Sequence, residues 1–355
     1  MNTRTNLTRI LVLVLIAALL AGCAATPQPD TTVPDTTVPD ATVADTTTPD
    51  TTVPADAIPY AIGIIQLVEH AALDAARDGF IAALADNGYV DGEKIVLDYQ
   101  NAQGDMNNLS TIADRFVGQE KDLVLAITTD AAQAMAGKTT SIPILGTAIT
   151  SYAGAGLVDD ENAPGGNISG TSDMNPVAAQ ISLIQELVPA VQTIGLAYNS
   201  SEDNSVLQAE LAKKAITELG LAWTEVTVTS INDVQQALSS LVGKCEALYI
   251  PTDNTLASAM PTVHSITGPA KLPVVCGESN MTLEGGLATM GINYHTLGYQ
   301  TGMMALALIH GEEVGSMPVQ YAQSSDEVII NALVAREIGF VIPEQYADVA
   351  VEPAA

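Results

Sequence analysis

From Tyr60 onward, short aliphatic runs alternate with helical stretches, and the alternation is completed twice. A chain built this way can pair its strands only in parallel, because each helix must carry it back across a sheet face. Ala61 to Leu67, Ile95 to Tyr99, Asp122 to Ile127, Pro143 to Thr147 and Ile168 to Gly170 read as strands of a first set. Helices are expected from Glu69 to Asn87 and from Asn108 to Gln119. Thr193 to Tyr198, Ala222 to Val228, Ala247 to Ile250 and Leu272 to Cys276 form a second set, with a helix from about Ser205 to Leu219. The expected fold is α/β, with two doubly wound parallel-sheet lobes. Composition agrees: the chain is 47% hydrophobic but only 4% aromatic, which suits strands buried on both faces. Ligands of such sheets bind beyond the carboxyl ends of the strands, so two facing lobes make a cleft.

The segment before Tyr60 has a different character. Arg4 and Arg9 precede a uniformly apolar run from Ile10 to Leu20, and Leu20-Ala21-Gly22-Cys23 closes it. The run is shorter than the ~20 residues that span a bilayer and has the layout of a cleavable signal. The closing tetrad resembles the lipobox of bacterial lipoproteins, which implies residues 1–22 as signal peptide and lipidation at Cys23. Residues 31 to 55 repeat TTVPD-like units without apolar periodicity, so 23–58 should be a solvated tether. The bulk of the chain is then extracytoplasmic and held to the membrane by lipid.

Formal charge is −29, and removing Arg4 and Arg9 leaves 10 basic against 41 acidic residues. Such a surface repels nucleic acid and anionic lipid. Apart from Cys23 the cysteines are Cys245 and Cys276, expected before the start of one strand and at the far end of another. That offset is too long for a disulfide, so both should be free thiols. Neither CxxC nor clustered His and Cys points to a metal. Gly137-Lys138-Thr139 follows a helix and lacks the first glycine of a phosphate loop, and Ser169 and Ser279 lack a nucleophile elbow's glycines. No cofactor is expected.

An ordered series of strings runs through the body. It begins with Ile64-Ile65-Gln66-Leu67-Val68-Glu69-His70-Ala71-Ala72-Leu73-Asp74, Asn101-Ala102-Gln103-Gly104-Asp105 and Ala131-Ala132-Gln133-Ala134. It continues through Gly170-Thr171-Ser172-Asp173, Tyr198-Asn199-Ser200-Ser201-Glu202-Asp203-Asn204-Ser205 and Pro251-Thr252-Asp253-Asn254-Thr255. Gly277-Glu278 and Leu287-Ala288-Thr289-Met290-Gly291-Ile292-Asn293-Tyr294 complete it. Together they resemble the substrate-binding lipoproteins of ABC transporters, most of all the tryptophan/tyrosine-type family with the type I periplasmic-binding-protein fold. The resemblance implies lobe one at 60–172 and 292–325, and lobe two at 173–290 and 327–349. Crossings near 172, 291 and 326 would form a three-strand hinge, with Asp326 to Leu333 as the last crossing strand. It also implies a monomer that hands its ligand to an ABC permease and its ATPase. The chain departs from the family pattern at Ala71, at Asp130 and at Ile149-Thr150-Ser151-Tyr152.

A zwitterionic amino acid needs donors for its carboxylate and an acid for its ammonium. Thr128, Thr129, Thr147 and Thr150 are placed after strands of lobe one, where they supply hydroxyls or cap the next helix. Asp173, Asp253 and Glu278 stand at strand ends of lobe two as ammonium partners or caps. Gln66 and Glu69 adjoin the first cleft loop, Asn199, Ser200, Asn204 and Ser205 a polar loop, and Thr252 and Asn254 the loop around Asp253. Tyr152, Tyr198 and Tyr294, at strand-to-loop junctions, are candidate walls for an aromatic side chain, and Tyr152 is expected to help select it. The expectation is capture of a small polar ligand, an amino acid with aromatic ones among the candidates, for an importer. A sensor using the same cleft, or an extracytoplasmic enzyme, are the other readings; no catalytic set converges in the sequence.

Overall fold

A computed structural model of the chain describes residues 59–322 and 327–353. The expected signal, Cys23 and the tether lie outside the described residues.

The first lobe begins with β1 (Tyr60–Gln66), α1 (Ala71–Asp86), β2 (Ile95–Asn101), α2 (Met106–Gly118), β3 (Leu123–Ile127), α3 (Thr129–Ala136), β4 (Ile144–Ile149) and β5 (Ile168–Ser172). The second holds α4 (Val177–Leu187), β6 (Thr193–Asn199), α5 (Asp203–Glu218), β7 (Ala222–Val228), α6 (Val234–Ser239) and β8 (Ala247–Ile250). It continues through α7 (Asn254–Ala257), α8 (Met260–Thr267), β9 (Val274–Cys276), α9 (Ser279–Glu284) and β10 (Ala288–Gly291). The chain returns to lobe one for α10 (Tyr294–Ile309) and β11 (Gln320–Tyr321). It ends on lobe two with β12 (Glu327–Asn331), α11 (Ala332–Ile338) and β13 (Ala350–Val351).

Lobe one is a six-stranded sheet in the order β11-β5-β4-β3-β1-β2, and lobe two a seven-stranded sheet in the order β13-β12-β10-β9-β8-β6-β7. Every strand pair is parallel except β10 with β12. That exception arises because β12 enters from the other lobe without a covering crossover helix of its own. Two hydrophobic clusters lie on opposite faces of each sheet, which explains a strand such as Leu123–Ile127 in which every residue is buried. The expected strand from Asp326 to Leu333 is cut short: Asn331 ends it by accepting the N–H of Val334 and opening α11. Cys245 and Cys276 are both buried and free.

In each sheet the winding direction reverses, between β3 and β1 in one and between β8 and β6 in the other. At such a switch point the loops part and leave a crevice. The two crevices open on the carboxyl ends of their strands, beside Gln66 and Ile127 in lobe one and Asn199 and Ile250 in lobe two. Helix α1 starts at this edge and lies so close to α10 that a Cβ on Gly79 or Gly298 would fall about 2 Å from the facing helix's backbone oxygen.

Candidate ligand-binding site

The loops at the two switch points meet and enclose a central cavity of about 10 Å³. Thr150, Asp173, Asn204, Thr252, Asp253, Asn254 and Glu278 line it, joined by His70, Ala148, Met281 and Tyr294. Nearer the mouth is a second chamber of about 360 Å³, with Asn199, Glu202 and Asp130 in its walls; Asn254 belongs to both.

Lobe two presents a finished surface. Glu202 is 4% exposed and accepts from seven donors, the backbone N–H groups of Asn254 and Thr255 among them. It locks the start of α5 to the start of α7. Asp253 caps α7, one oxygen accepting from Leu256 N at 2.8 Å and the other from Asn199 N at 2.5 Å. Glu278 caps α9 through Asn280 N and Met281 N, both at 2.6 Å. Capping and lining the cavity are compatible, since a carboxylate retains lone pairs after each oxygen accepts one bond. Burial pushes Glu278 up to about 7; burial first, then the charge of Glu202, raises Asp253.

Lobe one is less complete. Thr128 caps α3 by accepting Ala131 N at 3.3 Å, with φ at +99°. A β-branched residue there is strained. Ala148, in the cavity wall, also has a positive φ of +54°. Thr129 is 2% exposed and its Oγ1 has no partner among the described residues; it faces Asn204, whose Oδ1 is likewise unpartnered. Gln66 gives its amide N–H groups to Val68 O and Asp74, leaving Oε1 free of partners among the described residues. Asp173, at the crossing, accepts Thr150 Oγ1 at 3.0 Å and Tyr294 OH at 2.7 Å, and burial raises its pKa.

Hydrogen bonds bridge the lobes across the cleft and at the crossing. His70 Nε2 and Asn254 Oδ1 lie 3.3 Å apart, Gln208 donates to Thr150 Oγ1, Gln133 donates to Asp203, and Asp173 accepts from both Thr150 and Tyr294. Burial lowers the pKa of His70, so the neutral ring makes this contact.

Six of the expected site residues sit elsewhere. Tyr152 is fully buried in the core of lobe one, donating to Thr171 O between the bare backbones of Gly146 and Gly170; it lines neither space. Thr147 lies inside β4, accepting from Thr171, whose hydroxyl also meets Thr301. Tyr198 points to the other face of its strand, toward Glu225 and Lys213. Glu69 and Ser200 are exposed and line neither space. Ser205 is buried against Glu202 and serves that network. Glu202 and Gln208 were missed as site residues. Two acids and two amides in one polar run, Asn199 to Asn204, were the available signal for Glu202.

With this geometry in view, residues 61–353 match the model of the ABC transporter substrate binding protein family. The chain belongs to this family. It is 43% identical over 270 residues to a tyrosine-binding protein of Clostridioides difficile, covering 76% of this chain and 78% of that one. An ABC domain from Streptococcus pneumoniae in complex with L-Trp superposes with a TM-score of 0.79 at 37% identity, over 83% of this chain and 99% of that one. A ligand-free, open substrate-binding protein with adhesive properties from Clostridium difficile gives 0.65 at 44% identity, over 83% and 100%. The substrate-binding protein thus fits the L-Trp complex better than the more identical open form, in accord with its bridged, closed cleft. A leucine-binding and an inositol-bound protein at 15% and 13% identity, with TM-scores of 0.55 and 0.57, share the two-lobed fold. Substrate-binding proteins of ABC transporters work outside the cytoplasm, and this one does too.

Proposed function

We propose that this substrate-binding protein captures an aromatic amino acid between its lobes and delivers it to an ABC permease driven by an ATPase, while a lipid on Cys23 holds it to the membrane. The observation that carries the ligand class is the ring of buried acids, Asp173, Asp253 and Glu278, around a cavity with no lysine or arginine in its lining. Buried carboxyls without a counter-ion call for a ligand that donates, and an ammonium supplies both charge and hydrogen. The N-terminus of α3, with the free Oγ1 of Thr129, offers donors for the carboxylate. The relatives named for tyrosine and bound to L-Trp point to an aromatic side chain.

Closure selects the ligand, because bridges across the cleft such as His70–Asn254 and Gln133–Asp203 exist only when the lobes meet. The tether and hinge boundaries inferred from the sequence complete the reading: a body on a solvated leash, swinging about crossings near 172, 291 and 326. Isothermal titration of the purified protein with all twenty amino acids tests it. Tyrosine or tryptophan should give the tightest binding. Heat from none of the aromatic amino acids, with a sugar or nucleoside binding instead, discards the ligand class. Incorporation of labelled fatty acid that is lost in Cys23→Ser tests the anchor.

A further inference from the structure

Asp130 stands apart from every other acid of the cleft. It is 8% exposed, it lines the 360 Å³ mouth chamber, and its carboxyl has no hydrogen-bond partner among the described residues. The titratable groups that face it are Glu202 and Asp203, both acids. Neither can relieve it: Glu202 already accepts from seven donors, and Asp203 accepts from Gln133. Burial first, and then those two charges, push Asp130 up to about 7. A buried acid held without a partner is costly unless something that enters the site completes it.

The chamber itself suits a ring. Its volume falls in the range of about 300–1,000 Å³ usual for small-molecule sites, whereas the central cavity of about 10 Å³ cannot hold one without parting. Leu67, Val68 and Met106 of lobe one face Ile231 of lobe two across it. Met106 and Ile231 are 55% and 51% exposed, large apolar side chains turned to the opening. Asn254, common to both spaces, places the chamber next to the acids proposed for the ammonium.

We infer that the mouth chamber is the side-chain subsite and that Asp130 is its specificity-determining residue, accepting a hydrogen bond from a phenol O–H or indole N–H at the far end of the ligand. This rests on the aromatic amino-acid reading above. A site built to bond a hydroxyl rejects the analogue that lacks it, because its own polar group is then left unpaired. Asp130 therefore separates tyrosine and tryptophan from phenylalanine, which offers only a ring.

The experiment is calorimetric titration of the full-length protein and of Asp130→Ala with L-tyrosine, L-tryptophan, L-phenylalanine and O-methyl-L-tyrosine, which keeps the ring oxygen but not its hydrogen. The unaltered protein should prefer tyrosine over phenylalanine and over O-methyl-tyrosine by about tenfold or more. In Asp130→Ala the preference should collapse, with phenylalanine affinity within about threefold of its starting value. Thermal melting of the variant confirms that it is folded. A preference that survives in Asp130→Ala, or a loss equal for tyrosine and phenylalanine, overturns the inference alone. Failure of the unaltered protein to bind any of the four overturns the aromatic reading and this inference with it.

Discussion

The two lobes have the same architecture but offer the cleft opposite kinds of surface. On lobe two the acids are saturated: Glu202, Asp253 and Glu278 each accept bonds that hold helix starts in place. On lobe one, Thr129 Oγ1 and Gln66 Oε1 are buried without a partner among the described residues, the Asp130 carboxyl opens on the mouth chamber, and Thr128 and Ala148 are held at positive φ. One face is preassembled scaffold and the other is left for the ligand to finish. Substituting Glu202 on lobe two should therefore cost stability, and substituting Thr129 or Asp130 on lobe one should cost affinity.

The sharpest contrast comes from Glu202→Ala, which strands up to seven donors and should cost about 3–5 kcal/mol in chemical denaturation. A loss under about 1 kcal/mol would mean that water replaces the carboxylate and that lobe two is no scaffold. Tyr152→Ala removes a fully buried ring from lobe one and should cost about 3 kcal/mol. Because that ring faces the core, the order of ligand affinities should be unchanged; a reordered panel would return Tyr152 to the site. Thr129→Val should act the other way, keeping or raising the melting temperature while weakening ligand binding by about 1 kcal/mol in titration.

Protons sharpen the same distinction. Asp130 and Glu278 hold protons to about 7 in the folded protein, well above their ordinary values. Their contribution to stability is complete below the unfolded carboxyl range, about pH 4, and is lost as pH rises through 7. The unliganded melting temperature should fall between pH 5 and pH 8, and Asp130→Asn should flatten part of that slope. The smallest effect belongs to His70→Ala, which removes one bridge to Asn254 and should weaken ligand binding about threefold, roughly 0.7 kcal/mol.

Much of the fold could be read in advance because strands buried on both faces are written as aliphatic runs. Leu123–Ile127 and Ala247–Ile250, buried throughout, fall where such runs place them. The two-residue strands β11 and β13 carry no such signal, and the antiparallel β12 depends on a crossing that local pattern does not encode. In the site, loops were legible and side-chain directions were not. Successive residues of a strand point to opposite faces, so Asn199 enters the cleft and Tyr198 leaves it. Tyr152 turns inward because Gly146 and Gly170 leave room for its ring, a relation between residues separated in sequence. The role of Glu202 depends on α7, 52 residues away at Asn254, which no local pattern encodes.

The near-contact of α1 with α10 at Gly79 and Gly298 has a mechanical consequence. Helix α10 starts at Tyr294, just past a crossing between the lobes, and α1 starts beside His70 at the cleft rim. With two backbones clamped at van der Waals distance, the lobe has no soft layer in which to absorb strain. A rotation begun at the crossing arrives at the rim as displacement and not as deformation, so lobe one behaves as a stiff jaw whose bite is set at its pivot.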